Sequence, residues 1–204
     1  MVPSGPMKDR RDRILDVAVE LAEAGGFDNV RQRDVAAQAG VALGTLYKTF
    51  RSKEDILCAA LEREAAALEL RMEAHPAKGD LPAERLRSFF QTVTRGLCRK
   101  PNFTRAVLRA MASGEPEVAG NVAAYQGRVN GLIVAVLRGV GRLSLDELAA
   151  APPNELESTV ADMLQQIWFA SLVGWSAGII SQIDMVERVD RAGRVLLRGL
   201  AEPA

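Results

Sequence analysis

Residues 34–57 read DVAAQAGVALGTLYKTFRSKEDIL. The apolar periodicity predicts two short helices around Gly40, over 32–39 and 43–49. Helices this short do not offset their nucleation cost, so packing against something else must hold them. Ala36 is small where a following helix crosses, and Gly40 stands at a helix end, where a left-handed residue costs least. Val41 and Leu46 are expected to turn inward, with Phe50 closing a small core against Ile14, Leu15 and Ala18. This is the spacing of a helix-turn-helix. It leaves Gly44, Thr45, Tyr47, Lys48 and Thr49 outside: hydroxyls, a phenol, an ammonium and a glycine that permits close approach. Such a face suits the major groove of DNA. The plainer reading is a helical hairpin with a polar face, as in an adaptor that binds protein alone, and spacing by itself leaves both open.

Working outward, helical period continues almost everywhere. Ile14, Leu15, Ala18, Leu21 and Ala22 form a stripe that Gly25-Gly26 stops. Ser52, with Asp55 three residues on, opens a long helix to about residue 74. His75-Pro76 and the cluster at 79–82 break the chain, and Leu86, Phe89, Phe90, Val93 and Leu97 mark a fifth helix ending before Pro101. Further helices are predicted over 102–112, 117–140, 156–180 and 184–200, the last opened by Asp184 with Glu187, and a loop over 141–154. The class is all-α. An N-terminal three-helix unit, 1–53, is joined through the long helix to a larger bundle, 54–204.

Composition narrows the function classes. A chain of 204 residues, 48% apolar and 25% charged, has the balance of a soluble globular protein and can bury a real core. Its formal net charge is zero, so no global basic field announces a nucleic-acid partner. Cys58 and Cys98 lack metal-ligand spacing and read as free thiols in a reducing compartment; no metal and no cofactor are expected. The polar stretch 1–13 does not resemble a signal peptide. The apolar run MLQQIWFASLVGWSAGII, 163–180, carries Gln165, Gln166, Ser171 and Ser176 and barely reaches the roughly 20 residues of a span. It is expected to be a helix buried on nearly all sides, with no membrane partner. An enzyme is disfavoured: the one histidine is His75, no nucleophile elbow or P-loop is present, and GVGRLS at 139–144 lacks a third glycine and a preceding strand.

The longer string GFDNVRQRDVAAQAGVALGTLYKTFRSKEDIL, 26–57, closely resembles the DNA-binding domain of the TetR family of bacterial repressors, the match being dense from Arg13 to Leu61. The resemblance implies that Gly44, Tyr47, Lys48 and Thr49 meet the duplex and that Lys53 binds a phosphate. Gln32, Ala42 and Thr45 complete the expected DNA face. Arg31 stands where the family often has a capping Thr. It cannot cap, though with Arg33 it can reach a phosphate or a guanine edge. Ala42 stands where Ser is frequent, and Thr49 where His or Tyr is. Charge agrees modestly: residues 1–53 hold nine Lys/Arg against seven Asp/Glu, the remainder 17 against 19.

For the bundle, the resemblance implies dimerisation and small-ligand sensing. The Pro101 segment and the Trp168…Trp175 helix followed by VDRAGRVLL are similar to the actinobacterial repressors of sterol catabolism. Phe89, Phe90, Phe103, Met111, Tyr125, Leu132, Trp168, Leu172 and Trp175 are apolar groups on four predicted helices that suit a pocket for a small hydrophobic effector such as a fatty-acyl or steroid coenzyme A thioester. Ordinary core packing is the plainer reading of each. Arg95, Arg99, Lys100, Arg105 and Arg109 would receive the phosphates of such a thioester, or simply form a solvated face. Trp168 and Trp175, seven residues apart, share a helix face that looks into the pocket or towards a partner subunit, and Trp168 is assigned to the pocket. A homodimer through the last two helices would set two reading heads on a palindromic double-stranded operator, in the cytoplasm of a bacterium and associated with its nucleoid.

Overall fold

The computed structural model describes residues 6–140, 147 and 150–199, and among them every regular element is helical. The helices are α1 (Pro6–Gly25), α2 (Gln32–Gln38), α3 (Leu43–Thr49), α4 (Lys53–Ala74), α5 (Pro82–Cys98), α6 (Pro101–Met111), α7 (Ala119–Arg138), α8 (Glu155–Ser176) and α9 (Gln182–Gly199). Single 3-10 turns cover Phe27–Asn29 and Pro116–Val118. None of the described helices is long and apolar enough to cross a membrane.

The chain forms two compact units. The first runs to Glu64 and resumes over Lys100–Tyr125; the second holds Ala65–Arg99 and the chain from Gln126 onward. The first unit thus takes in α6 and the opening turns of α7 along with α1–α3 and the first half of α4. Polar ties explain this. Glu23, near the end of α1, accepts from the backbone N–H groups of Asn102 (3.1 Å) and Phe103 (3.0 Å), capping α6 with a carboxylate. Asn121 Nδ2 donates to Asp55 Oδ1 at 2.7 Å, joining the first turn of α7 to that of α4. The core of this unit is Ile14, Leu15, Ala18, Val30, Val35, Leu46, Phe50, Ile56 and Leu57, all buried.

In the second unit Leu86, Phe89 and Phe90 of α5, Ile133 of α7, Leu164 and Trp168 of α8, and Met185 and Val189 of α9 are buried. Arg85 satisfies the open end of α7, donating from Nε to Val136 O and from Nη2 to Leu137 O, each at 2.9 Å. Arg138 grips Glu157 with two bonds (2.8 and 2.7 Å), and that guanidinium holds the Glu157 carboxyl below its ordinary range.

Several boundaries differ from the sequence expectations for identifiable reasons. Helix α8 stops at Ser176 rather than 180 because Gly178 (φ 75°) adopts the left-handed conformation, with Gly178 N–H bonded to Trp175 O and Ile179 N–H to Gly174 O, both 2.9 Å. Helix α9 opens not at Asp184 but on a reciprocal cap. Asp184 N–H donates to Ser181 Oγ (3.1 Å) and Ser181 N–H to Asp184 Oδ2 (2.7 Å). Most of the loop expected over 141–154, and most of GVGRLS, lie outside the described residues; Glu147 and Ala150 are helical, with Ala151 N–H bonded to Glu147 O. Nor is α8 buried on nearly all sides: Met163, Gln166, Ala170 and Val173 form an exposed stripe at helical spacing.

Candidate nucleic-acid interface

The candidate DNA-reading segment is assembled from α1 to the start of α4. Helix α2 ends in a complete Schellman arrangement at Gly40 (φ 65°): Gly40 N–H bonds Ala37 O (3.3 Å) and Val41 N–H bonds Ala36 O (3.0 Å). A β-carbon at Gly40 would have open space, so the backbone angle, not crowding, favours glycine. Arg13 Nε donates to Ala39 O at 3.4 Å, a cation at the carbonyl end of α2. Ala36 is buried and Val41 half-buried. The Arg11 guanidinium lies 4.6 Å over the ring of Phe50, the residue that closes α3, so α1 braces the turn after the reading helix.

Within α3 the alternation is sharp. Leu46 and the following Phe50 are buried, while Gly44, Tyr47, Lys48 and Thr49 are exposed and Thr45 is half-buried. Tyr47 leaves 51% of its surface to solvent, high for an aromatic side chain. Thr49 Oγ1 donates to Thr45 O at 3.1 Å, so its oxygen is left as an acceptor. Both short helices open without a side-chain cap: Arg31 and Ala42 hold extended N-cap backbones and neither side chain bonds its helix. Arg31 and Arg33 are exposed, Arg33 within 3.7 Å of Asp34. Gln32 is half-buried and donates from Nε2 to Arg51 O (3.3 Å), tying the start of α2 to the turn after α3. Gln32 is therefore first a brace. Ser52 caps α4, accepting from Asp55 N–H at 3.1 Å, and Asp55 in turn accepts from Arg51 N–H at 3.0 Å.

Lys53 is less free than a surface lysine. Its ammonium is 3.9 Å from the Phe27 ring centroid and 3.9 Å from Asp28 Oδ1. Arg109 of α6 lies over the same ring (4.3 Å) and bonds Asp28 Oδ2 at 2.9 Å. Nothing in the local sequence announces this cluster, because Asp28 and Arg109 are 81 positions apart.

The effector candidates divide between the units. Phe103 and Tyr125 are buried and Met111 half-buried in the first, where burial pushes the Tyr125 phenol above its ordinary range. Phe89, Phe90, Leu132, Trp168 and Leu172 are buried in the second. There Phe89 and Phe90 meet edge-on (centroids 5.1 Å), Phe90 and Trp168 lie 6.1 Å apart, and Trp168 Nε1 donates to the buried Thr94 hydroxyl at 3.1 Å. Trp168 is 1% exposed, whereas Trp175, on the same stripe, is half-exposed. Arg95, Arg99, Lys100, Arg105 and Arg109 are all exposed, Arg109 being held by Asp28.

A buried two-helix scaffold with a polar reading face, preceding a helical bundle, defines a helix-turn-helix regulator. Residues 14–60 match the model of bacterial regulatory proteins of the tetR family, and 79–196 that of the tetracyclin repressor-like C-terminal domain. The chain belongs to the TetR family of bacterial transcriptional regulators, not to an enzyme family. It is similar to the HTH-type transcriptional repressor KstR of Rhodococcus jostii, 32% identical over 95% of this chain and 85% of that one. Its fold is shared with a TetR transcriptional regulator from Rhodococcus sp. RHA1 (TM-score 0.76, 24% identity, 94% of this chain and 96% of that one). Thermus thermophilus FadR, a repressor solved in complex with lauroyl-CoA, also shares it (TM-score 0.72, 23% identity, 95% and 96%).

Proposed function

We propose that this protein is a ligand-responsive repressor that binds a palindromic DNA operator as a homodimer and is released by a small hydrophobic effector of the acyl- or steroid-coenzyme A class. The observation that carries the DNA reading is α3 itself: Leu46 and Phe50 are spent on the core while Gly44, Tyr47, Lys48 and Thr49 stand outside it. Tyr47 and Lys48 would contact base edges, Lys53 a phosphate, and Arg31 and Arg33 further phosphates or guanine. Functionally the DNA-binding segment is 1–53 and the sensing and dimerising segment 54–204, and the protein works in the cytoplasm, on the chromosome.

The dimer reading is supported by the apolar surface of the last two helices and the turn between them. Val173, Ile179, Ile183 and Val195 are 46, 77, 70 and 65% exposed, a cost that a second copy would remove. The effector reading is supported by similarity to the repressor KstR and to FadR bound to an acyl-CoA. Phe89, Phe90, Leu132, Trp168 and Leu172, all in the second unit, would line the effector site. An effector moves the equilibrium only by its differential affinity for the two states.

The test is a binding titration with the DNA upstream of the protein's own gene, at stated salt, followed by addition of long-chain acyl-CoA, steroid-CoA or free coenzyme A. Specific binding reversed by a thioester but not by coenzyme A alone is expected. Absence of specific binding sinks the DNA reading, an unmoved complex sinks the effector, and a monomeric sedimentation mass at micromolar concentration sinks the dimer.

A further inference from the structure

Phe27, Asp28, Lys53 and Arg109 lie in one compact unit and share one arrangement: two cations flank a single aromatic ring, and one carboxylate serves both. The two sides are unequal. Arg109 Nη1 makes a hydrogen-bonded ion pair with Asp28 Oδ2 at 2.9 Å, whereas Lys53 Nζ stays 3.9 Å from Asp28 Oδ1. Asp28 is thereby committed to Arg109 and holds Lys53 only loosely.

We infer that Arg109 is a positioning residue for DNA binding: from α6, outside the 14–60 segment that matches the DNA-binding family model, it occupies Asp28 and leaves the Lys53 ammonium, steered by the Phe27 face, available to a phosphate. The argument is electrostatic. Without the Arg109 charge, Asp28 has Lys53 as its remaining partner in the cluster, and a carboxylate competes with phosphate for the same ammonium. The uncompensated carboxylate also repels the approaching backbone. Neutralising Asp28 removes both effects, so its loss and the loss of Arg109 act in opposite directions on the operator. The inference rests on the DNA-binding reading above.

Operator affinity is measured at one stated low salt for the wild type, Arg109→Gln, Arg109→Lys, Asp28→Asn and Lys53→Ala, and for Arg109→Gln combined with each of the last two. Arg109→Gln should weaken binding by about three- to five-fold, the range of an exposed pair. Arg109→Lys should restore part of it, keeping the charge but losing the planar stack. Asp28→Asn should tighten binding by roughly two-fold. In the Asp28→Asn background, adding Arg109→Gln should change affinity by less than about 1.5-fold, and in the Lys53→Ala background, where only the repulsion from Asp28 remains, by less than in the wild type, a pattern that a merely structural role would not produce. Equal losses in all backgrounds, or no loss from Arg109→Gln in the wild type, overturn the inference while leaving the DNA reading intact. Failure of the wild type to bind any operator overturns both.

Discussion

Leu46 and Tyr47 are neighbours in α3 with opposite surroundings, and substituting each by alanine should separate folding from reading. Leu46 is 0% exposed, packed in the core of the first unit. Leu46→Ala removes buried methyl groups and leaves a cavity that the surrounding helices fill only in part, costing about 2–5 kcal/mol of stability. Tyr47 is 51% exposed, and its truncation should leave stability within about 0.5 kcal/mol. On DNA the order reverses. One good base contact is worth about 1–3 kcal/mol, and the proposed dimer on a palindrome would make it twice, so Tyr47→Ala should lose about 2–6 kcal/mol, at least about 30-fold in affinity. Thermal unfolding followed by circular dichroism at fixed protein concentration gives the first quantity. Anisotropy of a labelled operator at fixed salt gives the second. A Tyr47→Ala protein that melts early, or that binds its operator like the wild type, would refute the orientation assigned to α3.

Three further outcomes follow from particular contacts. Ala42→Ser places a hydroxyl at an extended N-cap that has no side-chain bond, and should raise stability by about 0.5–1 kcal/mol; an unchanged melting midpoint would mean that the first turn of α3 is already satisfied. Trp168→Phe and Thr94→Val each leave a buried polar group without its partner, costing about 1–3 kcal/mol for that loss, and the double variant should cost less than the sum; strict additivity in urea unfolding would argue against the 3.1 Å bond. Burial, with Asp55 and Glu54 adding, pushes the Cys58 thiol up to about 12. The folded chain therefore keeps a proton that the unfolded chain releases, so stability should fall as pH rises from about 9 towards 12, and Cys58→Ala should flatten that slope. Labelling at neutral pH should reach Cys98, which is half-buried, before Cys58, which is buried.

What the sequence determined by itself lies where causes act over a few residues. Glycine at position 40, the inward spacing of Leu46 and Phe50, and the breaks at His75-Pro76 and Pro101 act through turn conformation and helical period, and α2 to α4 begin and end within a residue or so of where these place them. The exposed face of α3 follows, because on a helix the buried positions dictate the exposed ones. Other features were settled by contacts between distant segments, which leave no local pattern. Glu23 caps a helix 79 positions away, and Asp28 chooses Arg109 over a closer bond to Lys53. The reciprocal Ser181–Asp184 cap of α9, by contrast, spans three residues and was a local pattern open to sequence reading. Trp168 and Trp175 share a helical stripe, yet one is sealed against Phe90 and Thr94 while the other stays half-exposed. Periodicity assigns a face to a helix, but how far along that face a neighbour reaches is a property of the packed chain, because burial depends on what arrives from elsewhere in the sequence.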